Sequence, residues 1–460
     1  MGKFEELRNK YKTFIFEDYK IIEGDNDTIK ITFYFEIPRY KKFKPTLEIS
    51  KLNIDFDHIS IKTLKNIVFN IGMIELMSYW KTTCSKRIII ECGKLTDEQV
   101  EWYKKIYYYG LGEFRYINNI DIDIDDLFEI ESECKPGYIT EFNITETTLK
   151  YSGTLIPVGG GKDSCVTLDL LKDCKKDNLC LVMDEKKPQL KAIKKAGYKN
   201  EQIIHIKRTM DKGLFELNEQ GFLNGHTPFS ALLAFISYLV AYLSGKKYIA
   251  VSNDASSNEN NVEGEKINHQ YSKSFEFEEE FRWYVENYLE DEIKYFSVLR
   301  PLSELQIAKL FSKMKKYHKV FRSCNRGSKE TPWKWCGKCP KCLFVFIIFS
   351  PFLYKKELIK IFKKDLYKDE ELLETFIGLC GHGKVKPFEC VGTYEEINYA
   401  ISKTIKQLET AGEELPYLLK YYKENYGLVD TDTDIEQRYN EENNLPKEFE
   451  EELKKAIYEN

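Results

Sequence analysis

A short apolar run that passes through three glycines into a helix start constrains this chain more than any other stretch. Thr154 to Ser164 reads TLIPVGGGKDS. Glycines carry no Cβ, so backbone N–H groups can converge there on an anion, and the following helix adds unpaired N–H groups and a positive dipole end. Such a nest suits a pyrophosphate. Lys162 supplies a cation, Ser164 a hydroxyl at the helix start, and Asp163 a carboxylate that can hold magnesium or orient the loop. The G-x-x-x-x-G-K-[ST] spacing of a Walker loop is missing, as is the G-x-G-x-x-G of a dinucleotide fold. The plain alternative is a strand-helix turn without a ligand, and the Lys-Asp-Ser that follows the glycines weighs against it.

Around this loop short apolar runs alternate with helical segments, the signature of parallel α/β structure. Strands are expected at 154–158, 179–184, 202–207, 248–252 and 295–298, and helices at 164–175, 188–196, 228–244 and 277–288. Upstream, 14–50 reads as an antiparallel ribbon, 61–80 as a helix, 87–92 as a strand, and 96–109 as a helix opened by a Thr96/Gln99 capping box. The acidic stretch Asp121 to Glu133 reads as a loop or connection. From Glu395 the chain is Lys/Glu-rich and helical. The 460 residues correspond to roughly two to four domains. The expected division is an α+β N-terminal domain over 1–150, an α/β parallel-sheet domain over 151–345, and a helical C-terminal region over 346–460.

Twelve cysteines are present, and four of them fall between Cys324 and Cys342, with Cys336, Cys339 and Cys342 in C-x-x-C-x-x-C spacing. That is metal-ligand spacing rather than a disulfide framework, and it fits a reducing cytosol. Four thiolates close a tetrahedral zinc site; an iron-sulfur cluster is the rival. Lys plus Arg is 69 against 74 for Asp plus Glu, a net charge of -5, so an unaided grip on nucleic acid is not expected. The longest apolar runs, Ala231 to Leu243 and Leu343 to Tyr354, fall short of the ~20 residues that span a bilayer. The first residues carry acids and no apolar h-region, so no secretory signal or membrane association is expected, and the chain is placed in the cytoplasm.

The loop resembles the PP-loop of the ATP pyrophosphatase superfamily, S-G-G-x-D-S, with Gly159 where that superfamily usually has Ser. This implies an adenine nucleotide alpha-hydrolase-like fold, in which the loop holds the pyrophosphate of ATP and AMP is transferred to an oxygen of the substrate. The order of Arg300-Pro-Leu-Ser-Glu-Leu, Ser323-Cys324-Asn325 and Cys336 to Cys342 is similar to 7-cyano-7-deazaguanine synthases, where a four-cysteine zinc site closes such a domain.

Further words point elsewhere. His226-Thr-Pro-Phe-Ser230, Ser252 to Asn258, Asn268-His-Gln-Tyr-Ser-Lys-Ser274, Phe321 to Asn325 and Lys386-Pro-Phe-Glu-Cys390, together with Asn70 to Lys81 and Gly110 to Phe114, resemble the MurL family, ATP-dependent epimerases of UDP-N-acetylmuramoyl-L-alanyl-L-glutamate. Departures are Asp254 in place of Glu and extra spacing between His382 and Lys386. The resemblance implies a UDP-sugar dipeptide as substrate, ATP and Mg2+ as cosubstrate and cofactor, structural Zn2+, and an acyl-adenylate whose α-proton is removed and returned on the opposite face. It implies that Gly159, Gly160, Gly161, Lys162, Asp163 and Ser164 hold the pyrophosphate and that Asp184 lies near the adenosine. His269, Tyr271 and Lys273 are the expected acid/base and orienting groups, with Cys390 or His382 as a second proton carrier. Asn253, Asn268, Arg300 and Arg322 are the expected substrate contacts. The competing expectations are another AMP-forming enzyme of the deazaguanine type, an RNA-thiolating enzyme and a non-catalytic zinc module.

Overall fold

The computed structural model describes residues 2–458 except 26, 55–58, 133–149, 263, 290–291, 325 and 328–333. Asn325, residues 134–149 just before the expected division at 150 and the end of the acidic stretch at Glu133 lie outside the described residues.

The period-two pattern of the N-terminal third folds as written. In Thr28–Ile37 every second side chain is buried, from Ile29 through Ile31, Phe33 and Phe35 to Ile37, which one covered sheet face requires. The strands are β1 (Thr13–Gly24), β2 (Thr28–Ile37), β3 (Lys41–Phe43), β4 (Thr46–Ser50), β5 (Arg87–Ile90), β6 (Glu129–Ser132), β7 (Thr154–Pro157), β8 (Leu179–Met183), β9 (Ile203–Thr209), β10 (Tyr248–Val251) and β11 (Lys294–Ser297). They join one 11-stranded sheet in the order β11-β10-β7-β8-β9-β4-β2-β1-β5-β6, with β3 beside β2. From β11 to β9 all pairs are parallel; β9, β4, β2 and β1 pair antiparallel; β1, β5 and β6 are again parallel. The sheet therefore runs unbroken from the expected N-terminal domain into the expected α/β domain through the β4–β9 ladder.

Helices cover both faces, and the strands divide their side chains between them. Leu155 of β7 with Leu179 and Leu181 of β8 enters one core, alongside the helices Ile61–Trp80, Asp97–Gly110, Phe229–Leu243 and Phe275–Tyr288. Ile156, Cys180 and Val182 enter the other, with Lys162–Leu170, Lys187–Ala196, Glu304–Lys313, Pro340–Phe349 and Tyr394–Thr410. Burial on both faces is why these strands are continuous apolar runs rather than alternating ones. The Thr96/Gln99 capping box forms in both directions, at 3.1 and 3.2 Å. One expectation fails. The acidic stretch holds β6, a parallel edge strand whose Glu131 takes a bidentate bond from Arg87 of β5 at 2.7 and 2.8 Å. Charged side chains on an exposed edge hide the strand pattern.

Candidate active site

β7 lies between β8 and β10. The chain leaves it through Lys162–Leu170 to β8 on one side and comes back to β10 on the other. At such a reversal the loops after adjacent strands part, and ligands of parallel α/β sheets bind in the crevice at the strands' carboxyl ends. A cleft of about 280 Å³ sits there, lined by Gly159, Gly161 and Asp163 after β7 and by Ser252, Asn253 and Asp254 after β10.

Each glycine of the loop has its own reason. Gly160 has φ +81°, and a Cβ there would stand 2.8 Å from the Gln189 amide nitrogen and 3.0 Å from the Pro188 carbonyl carbon. At Gly159 a Cβ would meet nothing within 4 Å, so this position opens onto the cleft. Gly161 is the N-cap of Lys162–Leu170. The Gly160 N–H donates to Ser164 Oγ at 3.0 Å, and the Arg322 N–H donates to the Gly160 carbonyl at 2.9 Å.

Lys162 departs from its expected role. Its side chain is fully buried and its ammonium is bonded to the carboxylates of Asp163 and Glu304. Burial opposes that charge, yet the two carboxylates keep it protonated far above any working pH. It therefore ties the loop to the Glu304–Lys313 helix and does not face the cleft. Burial raises the Glu304 carboxyl, and the Lys162 charge opposes that rise. The cations lining the cleft are Lys186, Lys273, Arg322 and Lys341. Arg322 Nε is buried and has no protein partner among the described residues, as expected of a donor kept for an anion.

Opposite the loop, Cys390 lines the same cleft, with Lys273 Nζ 3.1 Å from its sulfur and Lys341 Nζ bonded to its carbonyl oxygen. Burial opposes a thiolate, but the charge of Lys273, a hydrogen bond from His269 and the charge of Lys341 bring Cys390 down to about 5. His269 is likewise disfavoured as a cation by burial, and its bonds to Cys390 and Glu113 overcome this and hold it up to about 9. Its Nδ1 is bonded to Glu113 Oε2. His226 packs on it with ring centroids 4.2 Å apart and is held neutral, near 3, by burial and then by the charge of His269. Neutral pH thus finds a thiolate beside an imidazolium and an ammonium.

The other expected groups divide. Asn253 lines the cleft, its N–H donating to Ser297 Oγ at 2.7 Å. Arg300 does not: it is fully buried on Glu278 at 3.0 Å and donates to the carbonyls of Asp254 at 2.7 Å and Lys273 at 2.6 Å. It holds the backbone of two cleft residues in place. Asn268 forms a turn, accepting from the Gln270 N–H at 2.7 Å and donating to the Ser257 carbonyl at 2.7 Å. Tyr271 is 5% exposed in the core, its hydroxyl 3.4 Å from Glu280, and burial pushes its pKa far upward. Asp184, at φ +47°, accepts from the Arg208 N–H at 2.9 Å and does not line the cleft. His382 stacks on Tyr426 at 3.6 Å, away from it. Sequence reading missed Glu113 and Glu304 as site residues. A Glu next to a glycine or at a helix start is ordinary, and only packing makes either a partner of His269 or Lys162.

Cys324, Cys336, Cys339 and Cys342 converge, with sulfurs 3.7 Å apart for 324–339, 3.6 Å for 336–342 and 3.5 Å for 339–342. A tetrahedral zinc with ~2.3 Å bonds sets its sulfurs about 3.8 Å apart. The cluster fits a metal ion. The Gly327 N–H also points to Cys324 Sγ at 3.1 Å, a bond that stabilises negative charge on a thiolate ligand.

Residues 5–298 match the MurL N-terminal domain, and residues 320–425 match the MurL C-terminal domain. The chain belongs to the MurL family. Three relatives carry the name UDP-N-acetyl-alpha-D-muramoyl-L-alanyl-L-glutamate epimerase. The one from Xanthomonas oryzae pv. oryzae (strain MAFF 311018) is 32% identical over 343 residues, 73% of this chain and 74% of the relative. That from Salinispora tropica is 33% identical over 349 residues, covering 74% of each. That from a Micromonospora species is 31% identical over 355 residues, covering 76% of each. No solved structure matches. In this MurL chain the N-terminal family domain supplies Gly159 to Ser164, Glu113, His269 and Lys273, and the C-terminal one supplies Arg322, the four cysteines and Cys390. The cleft needs both.

Proposed function

We infer that the chain is an ATP-dependent epimerase that inverts the terminal L-Glu of UDP-MurNAc-L-Ala-L-Glu to D-Glu in peptidoglycan precursor synthesis, releasing AMP and pyrophosphate. The observation that carries this reading is one cleft in which a glycine nest faces a thiolate, in a chain whose relatives are named for that epimerisation.

The chemistry requires both halves. A free glutamate carboxylate beside its α-carbon repels the carbanion that deprotonation would form. Adenylation removes that charge and makes the carbonyl an electron sink, so a side-chain base can take the α-proton. In this reading a PP-loop-like nest of Gly159, Gly160 and Gly161, at the start of Lys162–Leu170, holds the ATP phosphates, with Arg322 and Lys186 as cations. Asp163 and Asp254 line the cleft as carboxylates suited to Mg2+, which when bound neutralises phosphate charge. Cys390, ionised at neutral pH, performs the proton transfer on one face of the α-carbon, with Lys273 holding its charge in place; a proton returned on the opposite face and attack of water on the acyl carbon then free the D-Glu carboxylate and AMP. The four cysteines hold a structural Zn2+. No disulfide joins the described cysteines, as a reducing compartment permits, and no described helix is long and apolar enough to cross a membrane.

The test is to incubate purified protein, ATP and magnesium with UDP-MurNAc-L-Ala-L-Glu in deuterated water. The expected product carries D-Glu with deuterium at the α-carbon, and AMP appears with it. Cys390→Ala is expected to lower deuterium incorporation at least 100-fold. AMP release without any α-deuterium in the wild-type enzyme would instead point to an amide- or nitrile-forming synthase.

A further inference from the structure

Glu113, His269 and Cys390 come from three segments far apart in the chain: the short helix Gly112–Ile117, the turn before the 3-10 segment Tyr271–Lys273, and the loop before Tyr394–Thr410. Only the fold aligns them. Glu113 Oε2 takes the hydrogen on His269 Nδ1, and the same imidazole interacts with Cys390, the thiol that lines the cleft and that Lys273 Nζ approaches to 3.1 Å. The side chains of Glu113 and His269 are 14% and 13% exposed, so water screens their interaction weakly. The His269 backbone is pinned too, its N–H donating to Asn261 Oδ1 at 2.8 Å.

We propose that Glu113 is a positioning residue for the epimerisation chemistry: by holding His269 Nδ1 it fixes the orientation of the imidazole beside Cys390 and keeps its proton in place. The proposal rests on the reading of Cys390 as the proton-transferring group. A carboxylate that orients a histidine beside a nucleophile or base is a recurrent device, because the ring would otherwise rotate or carry its proton on the wrong nitrogen. Around Cys390 the charged groups are Lys273 and Lys341, with Glu389 beside it in the cleft lining and Asp163 and Asp254 acting on Lys273. Around His269 and Glu113 they are His226, whose Nδ1 is 3.9 Å from Glu113 Oε2, and Lys81. Glu113 is the carboxylate of this group that touches the imidazole. Removing its charge leaves Lys273, Lys341 and Lys81 in place, and the imidazolium loses one of the two bonds, the other being to Cys390, that offset its burial.

The experiment reads the ionisation of Cys390 directly, in the enzyme without substrate, as the pH dependence of iodoacetamide alkylation of the Cys390 peptide followed by mass spectrometry. The wild-type midpoint is expected well below that of a free thiol. Glu113→Gln is expected to raise it by about one pH unit, a tenfold fall in thiolate at a given acidic pH. Glu113→Asp, which keeps the charge, is expected to fall between. In turnover, Glu113→Gln is expected to lower kcat for α-deuterium incorporation with KM unchanged. An unshifted Cys390 midpoint in folded Glu113→Gln overturns the proposal. If that variant does not fold, His269→Gln is read in the same way, and an unshifted midpoint there overturns it as well. So would one equivalent of metal beyond the four-cysteine site, retained by the wild type and lost with Glu113, since His269 Nδ1 would then be a ligand. Because the alkylation needs no substrate, a protein that makes no D-Glu but shows the shift sinks the epimerase reading alone.

Discussion

At Gly160 the backbone turns to φ +81° with the Pro188–Gln189 backbone pressed against it, while Gly159 beside it opens onto the cleft. The two glycines are therefore not equivalent. Gly159→Ser restores the residue usual in PP-loops and is expected to leave stability within about 0.5 kcal/mol of wild type and the ATP KM within about twofold. Gly160→Ala forces a Cβ into backbone at 2.8 Å and is expected to cost about 1–3 kcal/mol, with AMP release largely lost. Thermal unfolding and an AMP-release assay on both variants check this. Equal behaviour of the two would mean that the loop is not held as described. The identity of both residues was legible in the sequence. Which of them carries the strain was not, since that depends on Pro188 and Gln189, nearly thirty residues away in the chain.

Between elements, the Lys162 ammonium joins the start of Lys162–Leu170 to Glu304 at the start of Glu304–Lys313, both side chains being almost completely buried. Taking one partner from a buried pair strands the other charge in a weakly polarisable interior. Glu304→Gln is expected to destabilise the fold by about 3 kcal/mol, read as a lower midpoint in urea. The double variant Lys162→Met/Glu304→Leu is expected to recover part of the loss, because an apolar pair of similar volume removes the desolvation cost from both sides. A single variant as stable as wild type would show that Asp163 alone satisfies Lys162. At this scale the sequence was read well where period and caps were strong, as in Ile61–Trp80 and Asp97–Gly110. It was read poorly at β6, where solvent on an edge strand permits glutamates at positions that an interior strand would fill with apolar side chains.

For the whole molecule, the four-cysteine cluster stands between the two walls of the cleft. Cys324 follows Arg322 and Ser323, which brace the glycine loop, and Cys342 lies in Pro340–Phe349, whose Lys341 reaches the Cys390 carbonyl. A metal there would hold both walls at once. Cys339→Ser is expected to lose one equivalent of zinc by metal analysis, to lower Tm, and to abolish both AMP release and α-deuterium incorporation. Selective loss of one of the two reactions would show that the cluster braces only one wall. Full metal content in the variant would remove Cys339 from the ligand set.

What the sequence determined by itself was local chemistry: a glycine nest at the end of a strand, four thiolates at knuckle spacing, and words long enough to resemble one family. These survive translation into structure because they depend on residues close together in the chain, the widest gap being that between Cys324 and Cys336. Tertiary structure decided which polar side chains face the cleft. Asn268 and Tyr271 stand in the same informative word as Lys273, and Arg300 in another, yet Lys273 lines the cleft while the other three are spent on Ser257, Glu280 and Glu278. Lys162 turns inward to Glu304, and Glu113 acquires a role from His269, a partner 156 positions away. A one-dimensional pattern records that a polar group is present; whether it is consumed by a buried partner or left for a ligand depends on the atoms that the fold brings within bonding distance.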